Sequence, residues 1–292
     1  MKLTFLGTGT SHGIPVIGCK CKVCKSSDPH NRRYRSSVYV ETADQKYIQV
    51  DCGPEFRLQA IENNIKKIDA VLLTHSHADH IFGLDDLRIF SVALNHEPED
   101  ERGRRLLAAP PMPVYTNKKC IDDIKKRFDY IFTPARDGGG HAKLNLIEAS
   151  SPFKIGATTV TPIPMTHGYL EATGWLFSEA DINGGLKSIA YLTDCNKISD
   201  SSINLIRESA GSLKHLVIDG LRIKEHSTHF NFLQAMETAE KIGAEQIWFT
   251  HMTHNESHDE IVEYIKEHLK DFPGLAKAES VLPAYDKLVI QC

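Results

Sequence analysis

DAVLLTHSHADHIFGLDDL, residues 69–87, is the stretch around which this chain is organised. Ala70 to Leu73 is a short apolar run that reads as a buried strand, and it stops at Thr74. Four potential metal ligands follow within six residues: His75, His77, Asp79 and His80. Imidazole suits zinc, manganese or iron, and a carboxylate among imidazoles points to a hydrolytic or oxygen-handling metal rather than a closed structural zinc. A loop leaving a strand can aim alternate side chains into one pocket without a helix to hold them.

Donors from distant strand ends can complete a metal site that one such loop begins. Three candidates stand where apolar runs end: His167 closes VTPIPMTH, Asp194 closes SIAYLTD and His251 closes QIWFTH, each directly after a threonine. Asp51 closes the run before Cys52-Gly53, where it fits either a partner for a ligand histidine or a turn-forming residue.

Cys19, Cys21 and Cys24 form a CxCxxC cluster. Three thiolates at this spacing can wrap one tetrahedral zinc but need a fourth ligand. His254, three residues beyond His251, is the best placed. His258 is weaker, because a capping box from Ser257 to Glu260 puts it in the first turn of a helix. Cys52, Cys120, Cys195 and Cys292 are scattered and read as buried thiols. An odd cysteine count with three crowded together favours metal over disulfides, as in a cytoplasmic chain.

With 41% hydrophobic and 25% charged residues in 292, the composition is that of a globular α/β protein. A net charge of -4 argues against a broad basic surface for long nucleic acids, leaving at most a small nucleotide as a nucleic-acid ligand. MKLTFLGTGTSHG at the start has no extended apolar region, and no later run approaches a membrane span, so no membrane partner is expected and the location expected is cytoplasmic.

Along the chain, strands are expected over 2–6, 36–40 and 46–50, with a hairpin at Ala43-Asp44-Gln45, and helices over 56–61 and 81–94. Asp85, Asp86 and Arg88 on that second helix read as local salt-bridging. Residues 97–105 follow no period, 113–116 read as a strand, 121–132 carry helical spacing, and Gly138-Gly139-Gly140 is a break. Residues 96–143 are therefore expected to be a variable insertion. Strands dominate 144–194, with Asn183-Gly184-Gly185 as a hairpin turn. Helices over 203–210, 232–242 and from Ser257 onward then alternate with strands over 215–219 and 246–250.

The run His75-Ser76-His77-Ala78-Asp79-His80 is the HxHxDH signature of the metallo-β-lactamase superfamily, which the chain resembles over nearly its whole length. The resemblance implies one four-layer αββα sandwich domain over residues 1–292. It implies two divalent catalytic metals, zinc or manganese: His75, His77 and His167 on one, Asp79, His80 and His251 on the other, and Asp194 bridging. The GTGT turn, the CxCxxC loop near 18–25 and HxxH at 251 and 254 narrow the likeness to phosphoribosyl cyclic phosphodiesterases of the carbon–phosphorus lyase pathway. Those enzymes carry a structural zinc on three cysteines and one histidine, here Cys19, Cys21, Cys24 and His254.

Related phosphodiesterases place a histidine 22 residues before the last ligand, which is His229 here. The resemblance makes His229 the catalytic acid, with His226 in reserve, and Asp79 and Asp194 the residues that orient a metal-bridged hydroxide. Arg32, Arg33 and Arg35 fit either a substrate phosphate or a solvated basic stretch. The function expected is metal-dependent hydrolysis of a small cyclic or nucleotide-like phosphodiester, in a homodimer. Two alternatives are an RNA 3′-processing nuclease, which the acidic balance and missing substrate arm disfavour, and a non-hydrolytic metal protein of quinone-cofactor biosynthesis. A di-iron redox enzyme would need a flavin segment to supply electrons, and none is visible.

Overall fold

The computed structural model describes residues 1–91, 110–133 and 141–292. β1 (Lys2–Gly7), β2 (Ser37–Glu41) and β3 (Tyr47–Val50) pair antiparallel, and β4 (Ala70–Leu72), β5 (Met112–Thr116) and β6 (Leu144–Glu148) continue the same sheet as parallel strands. On the far side of β1 lies the last strand of the chain, β14 (Val289–Gln291). A second sheet repeats this plan in mirror order. β7 (Phe153–Ile155), β8 (Thr158–His167) and β9 (Leu170–Ala180) run antiparallel into β10 (Leu186–Leu192). Parallel strands β11 (Ser212–Asp219), β12 (Gln246–Thr250) and β13 (Ser280–Pro283) complete it.

Parallel neighbours need crossovers, and helices supply them. α1 (Phe56–Glu62) links β3 to β4. α2 (Ala78–Ile81) follows β4, and α3 (Lys118–Arg127) with α4 (Asp129–Phe132) link β5 to β6. In the second sheet α5 (Asp200–Ala210), α6 (Phe232–Ile242) and α7 (His258–His268) play the same part. Both α6 and α7 open on a capping box, Asn231 with Gln234 and Ser257 with Glu260, which satisfies two otherwise unpaired backbone donors at each start.

The sheets pack face to face. Phe5, Val40, Ile48 and Leu72 of the first meet Trp175, Phe177, Tyr191 and Val217 of the second, all fully buried. Each such side chain contributes roughly 1.5–3 kcal/mol by leaving water. Phe56, Ile81, Ile124 and Phe128 cover the outer face of the first sheet, and Ile203, Met236 and Ile261 that of the second. The result is the four-layer αββα sandwich. Among the described residues no helix is long and apolar enough to cross a membrane.

Two expectations change, and the strand expected over 113–116 is found at Met112–Thr116. The helix expected over 81–94 is instead the single turn α2 followed by a 3-10 helix, Leu84–Ser91. Gly83 between them is packed so tightly that a Cβ there would lie 2.3 Å from the Gly53 carbonyl oxygen. Helical spacing over 121–132 belongs to two helices, because Phe128 leaves helical geometry (φ -120°). Within the segment expected to be an insertion, residues 112–116 form a strand between β4 and β6. Residues 97–105 and Gly138-Gly139-Gly140 lie outside the described residues.

Candidate metal centre

The expected ligands arrive at one end of the sandwich, where the parallel strands of both sheets finish. In α/β sheets this carboxyl end is where crevices open. Asp51 follows β3, His75 to His80 follow β4, His167 closes β8, Asp194 follows β10, Asp219 closes β11 and His251 follows β12. Asp51, Asp194 and His251 have φ of 58°, 54° and 62°. This left-handed backbone is uncommon for residues other than glycine. Here it bends three strand ends inward.

One donor atom from each of His75, His77 and His167 lies within 4.8 Å of the others. So do atoms of Asp79, His80, Asp194 and His251. Asp194 joins the two groups, with Oδ2 3.7 Å from His75 Nε2 and 3.1 Å from His80 Nε2, and Oδ1 3.0 Å from His251 Nε2.

Hydrogen bonds on the other ring nitrogen settle which atom three of these imidazoles present. Asp51 Oδ2 accepts from His80 Nδ1 at 2.7 Å and from Thr74 Oγ1 at 2.9 Å, while Asp51 Oδ1 accepts from Thr74 N. Since the Thr74 hydroxyl donates to Asp51, it accepts from His75 Nδ1 at 3.0 Å. The Thr228 carbonyl accepts from His167 Nδ1 at 2.7 Å. His75, His80 and His167 therefore all carry hydrogen on Nδ1 and turn Nε2 inward, the second-sphere arrangement typical of metal-bound histidine. Asp51 makes this bond to His80, and two residues on a Cβ at Gly53 would lie 2.1 Å from the Asp79 carbonyl oxygen.

The donor set fits divalent metal. His75 Nε2 is fully buried and has no hydrogen-bond partner, a costly arrangement unless a cation takes its lone pair. Burial lowers the pKa of His75 and His167, and partial desolvation lowers that of His77, which favours the neutral forms that ligation requires. Burial opposes ionisation of Asp194, but His251, His80 and His75 hold its carboxyl well below the usual range.

His229 stands beside these groups. Its ring lies 4.5 Å from that of His167 and 4.7 Å from that of His251. Its Nδ1 donates to Asp219 Oδ2 at 2.8 Å, and the same oxygen accepts from the backbone N–H of Cys195, next to Asp194. Burial works against charge on this imidazole, but the Asp219 carboxylate outweighs it and raises the pKa to about 9. Asp219 is the partner of His229 that sequence reasoning missed. Its signal was present, since HLVID ends an apolar strand on an acid just as Asp51 and Asp194 do. His226 is exposed, with its ring 5.3 Å from that of His229.

His254 Nδ1 lies 3.4 Å from each of the Cys19, Cys21 and Cys24 sulfurs, so all four expected zinc ligands converge. His258 instead packs against His30 and Tyr285. Cys52, Cys120 and Cys195 are buried, but Cys292 is half-buried. Neither reading of the arginine segment holds for two of its three members. Arg33 is buried and donates to the Thr253 carbonyl at 2.5 Å, and Arg35 is paired with Glu55 and bonded to the Ser11 carbonyl. Arg32 is exposed. Asp85 accepts from the Tyr130 hydroxyl.

Residues 46–252 match the model of the β-lactamase superfamily domain. An octanoyltransferase of Porphyromonas gingivalis is 35% identical over 272 residues, covering 92% of this chain. The chain spans only about half of that relative, 49% of its length. A crystal structure of a new diphosphatase from the PhnP family superposes with a TM-score of 0.77 at 35% identity, covering all of this chain and 97% of that one. Zinc-bound PqqB from Methylobacterium extorquens shares the fold, with a TM-score of 0.74 at 17% identity and complete coverage of both chains.

Proposed function

The chain belongs to the β-lactamase superfamily and has the fold and donor clusters of a metal-dependent hydrolase, and we propose that its substrate is a small cyclic or nucleotide-like phosphodiester. The observation that carries this reading is the Asp219–His229 pair beside the donor cluster. An imidazolium there can donate to a phosphoryl oxygen as charge builds in the transition state, or protonate the departing alkoxide. Attack on a planar carbonyl has no evident need for it.

His75, His77 and His167 would hold one metal, Asp79, His80 and His251 a second, and Asp194 both. Bound there, divalent metals supply Lewis acidity and bring the pKa of a coordinated water toward neutrality. Asp51, Thr74 and Thr228 fix the ring orientations by the hydrogen bonds described above. Asp79 and Asp194 remain ionised and accept from the attacking water, which they orient. Asp219 keeps His229 charged and aimed. Cys19, Cys21, Cys24 and His254 would hold a third metal, zinc, in a closed structural site.

A second reading, cleavage of a diphosphate linkage, is favoured by the 35% identical diphosphatase of matching length. Octanoyl transfer is the less fitting reading: the chain spans only 49% of the relative that carries that name, and the donors gathered here are imidazoles and carboxylates suited to metal. Rates on cyclic and linear phosphodiesters, diphosphates, phosphomonoesters, lactones and β-lactams, with metal content measured in parallel, test the proposal. Ribose cyclic phosphates, 2′,3′-cyclic nucleotides or bis-p-nitrophenyl phosphate should be cleaved with Mn²⁺ or Zn²⁺, and monoesters should be inert. Diphosphates turned over far faster than any diester would favour the second reading. Lactones or β-lactams leading the panel would overturn both.

A further inference from the structure

Ser76 lies between two candidate ligands of one metal, His75 and His77, and helix α3 grips it twice. Its hydroxyl donates to Asp123 Oδ2 at 2.7 Å, and its carbonyl oxygen accepts from Arg127 Nη1. Asp123 and Arg127 are four residues apart and so share a face of α3. The helix is itself registered to the strand that delivers the ligands. Its start follows β5, Leu73 N donates to the Tyr115 carbonyl, and Thr116 Oγ1 donates to the Leu73 carbonyl at 2.9 Å. Cys120, Ile121 and Ile124 anchor the helix in the core, and Asn117 caps it.

His77 needs such a grip: among the candidate ligand histidines it and His251 lack a hydrogen bond to any described residue on either ring nitrogen, and of the two His251 is enclosed by burial. Thr74, Asp51 and Thr228 hold the rings of His75, His80 and His167, but neither nitrogen of His77 has a hydrogen-bond partner among the described residues, and the residue is exposed. With no partner to orient its ring, its approach to His75 and His167 depends on its backbone. We infer that Asp123 and Arg127 are positioning residues for the metal held by His75, His77 and His167, clamping the Ser76 peptide so that His77 arrives preorganised. This inference rests on the metal-binding reading above.

The test is metal affinity, measured on the full chain by stripping it with a chelator and titrating Zn²⁺ back against a chromophoric competitor. In Asp123→Ala/Arg127→Ala, one catalytic equivalent should weaken roughly 10–100-fold, the usual cost of losing an outer-sphere partner. The other equivalents should hold. Asp123→Asn keeps an acceptor for the Ser76 hydroxyl and should stay within about threefold of wild type. In a His77→Ala background the double substitution should have no further effect. Unchanged affinity, or weakening that persists without His77, would overturn the clamp even if the melting temperature falls. Should the double variant fail to fold, Ser76→Ala/Arg127→Ala, which removes both bonds but leaves Asp123 paired with Lys119, carries the same expectation, and normal affinity there overturns the proposal equally. A wild-type chain that takes up no metal at the histidine and aspartate clusters would overturn the metal-binding reading itself, and the clamp with it.

Discussion

Two carboxylates with no exposure, Asp51 and Asp219, each hold an imidazole by Nδ1 at 2.7–2.8 Å. Their settings differ in what surrounds the second nitrogen. His80 faces Asp79 and Asp194, whereas His229 faces the rings of His167 and His251. On the function proposed here, the first pair would prepare a ligand and the second an acid. His229→Ala should keep both catalytic metals while kcat falls roughly 10²–10⁴-fold. Asp219→Asn, which leaves the ring but removes its anionic partner, should give a smaller loss of about 10–100-fold, also with metal retained. Steady-state kinetics with elemental analysis checks both. A near-normal His229→Ala beside an inactive His226→Ala would move the acid role to the rim. His75 to His80 were legible because one loop places them together. Asp219 was hidden by distance, since nothing in the sequence spacing says that strand end β11 lies next to His229. Ser76, Asp123 and Arg127 were invisible for the same reason.

At the scale of elements, the strand ends carry what sequence pattern cannot express. An apolar run ending in Asp or His was readable for His167, Asp194 and His251, but not the left-handed turn that aims two of them. Glycine is the residue expected at positive φ, and a non-glycine residue held there costs of order 1–3 kcal/mol. The helices of the second half were legible to within a few residues because capping boxes and apolar stripes are local. The 3-10 helix after α2 was not, and the close approach of Gly83 to Gly53 at its start joins residues too far apart for a local pattern to show. The cysteine loop is tied to the strand end of β12 by Arg33 on the Thr253 carbonyl and to α7 by Lys22 with Glu260. Cys21→Ser should therefore remove one zinc equivalent and lower the melting temperature more than it lowers kcat, as calorimetry and kinetics on one preparation would show.

Asp286, just before β14, gives a test by pH. It accepts from Tyr34 N at 2.7 Å and Thr8 Oγ1 at 2.8 Å, but burial pushes its carboxyl up to about 7. Between about pH 4 and 7 the folded chain holds a proton that the unfolded chain has released, so this group makes stability fall as pH rises through that window. Urea unfolding at pH 5 and pH 8 should show wild type losing about 2–3 kcal/mol more than Asp286→Asn across that interval. Equal losses would place the carboxyl in its ordinary range.

At the scale of the molecule, the αββα layering was legible through the family signature, while periodicity alone reached only α/β. What neither supplied is how the donors divide between the sheets. His75 and His77 come from the first half and His167 from the second. Asp79 and His80 likewise meet Asp194 and His251, and three cysteines near the start meet His254. The chain crosses from one sheet to the other at Ser150-Ser151, an exposed bend between β6 and β7. Cutting there would leave each piece with most of one sheet, its own helices and an incomplete share of every ligand set. Two such fragments, produced together, should therefore behave as a split protein whose reassembly is switched by metal: copurifying and active with Zn²⁺, and parting when a chelator is added. The metals would then serve as the rivets between two half-molecules as well as the seat of the chemistry.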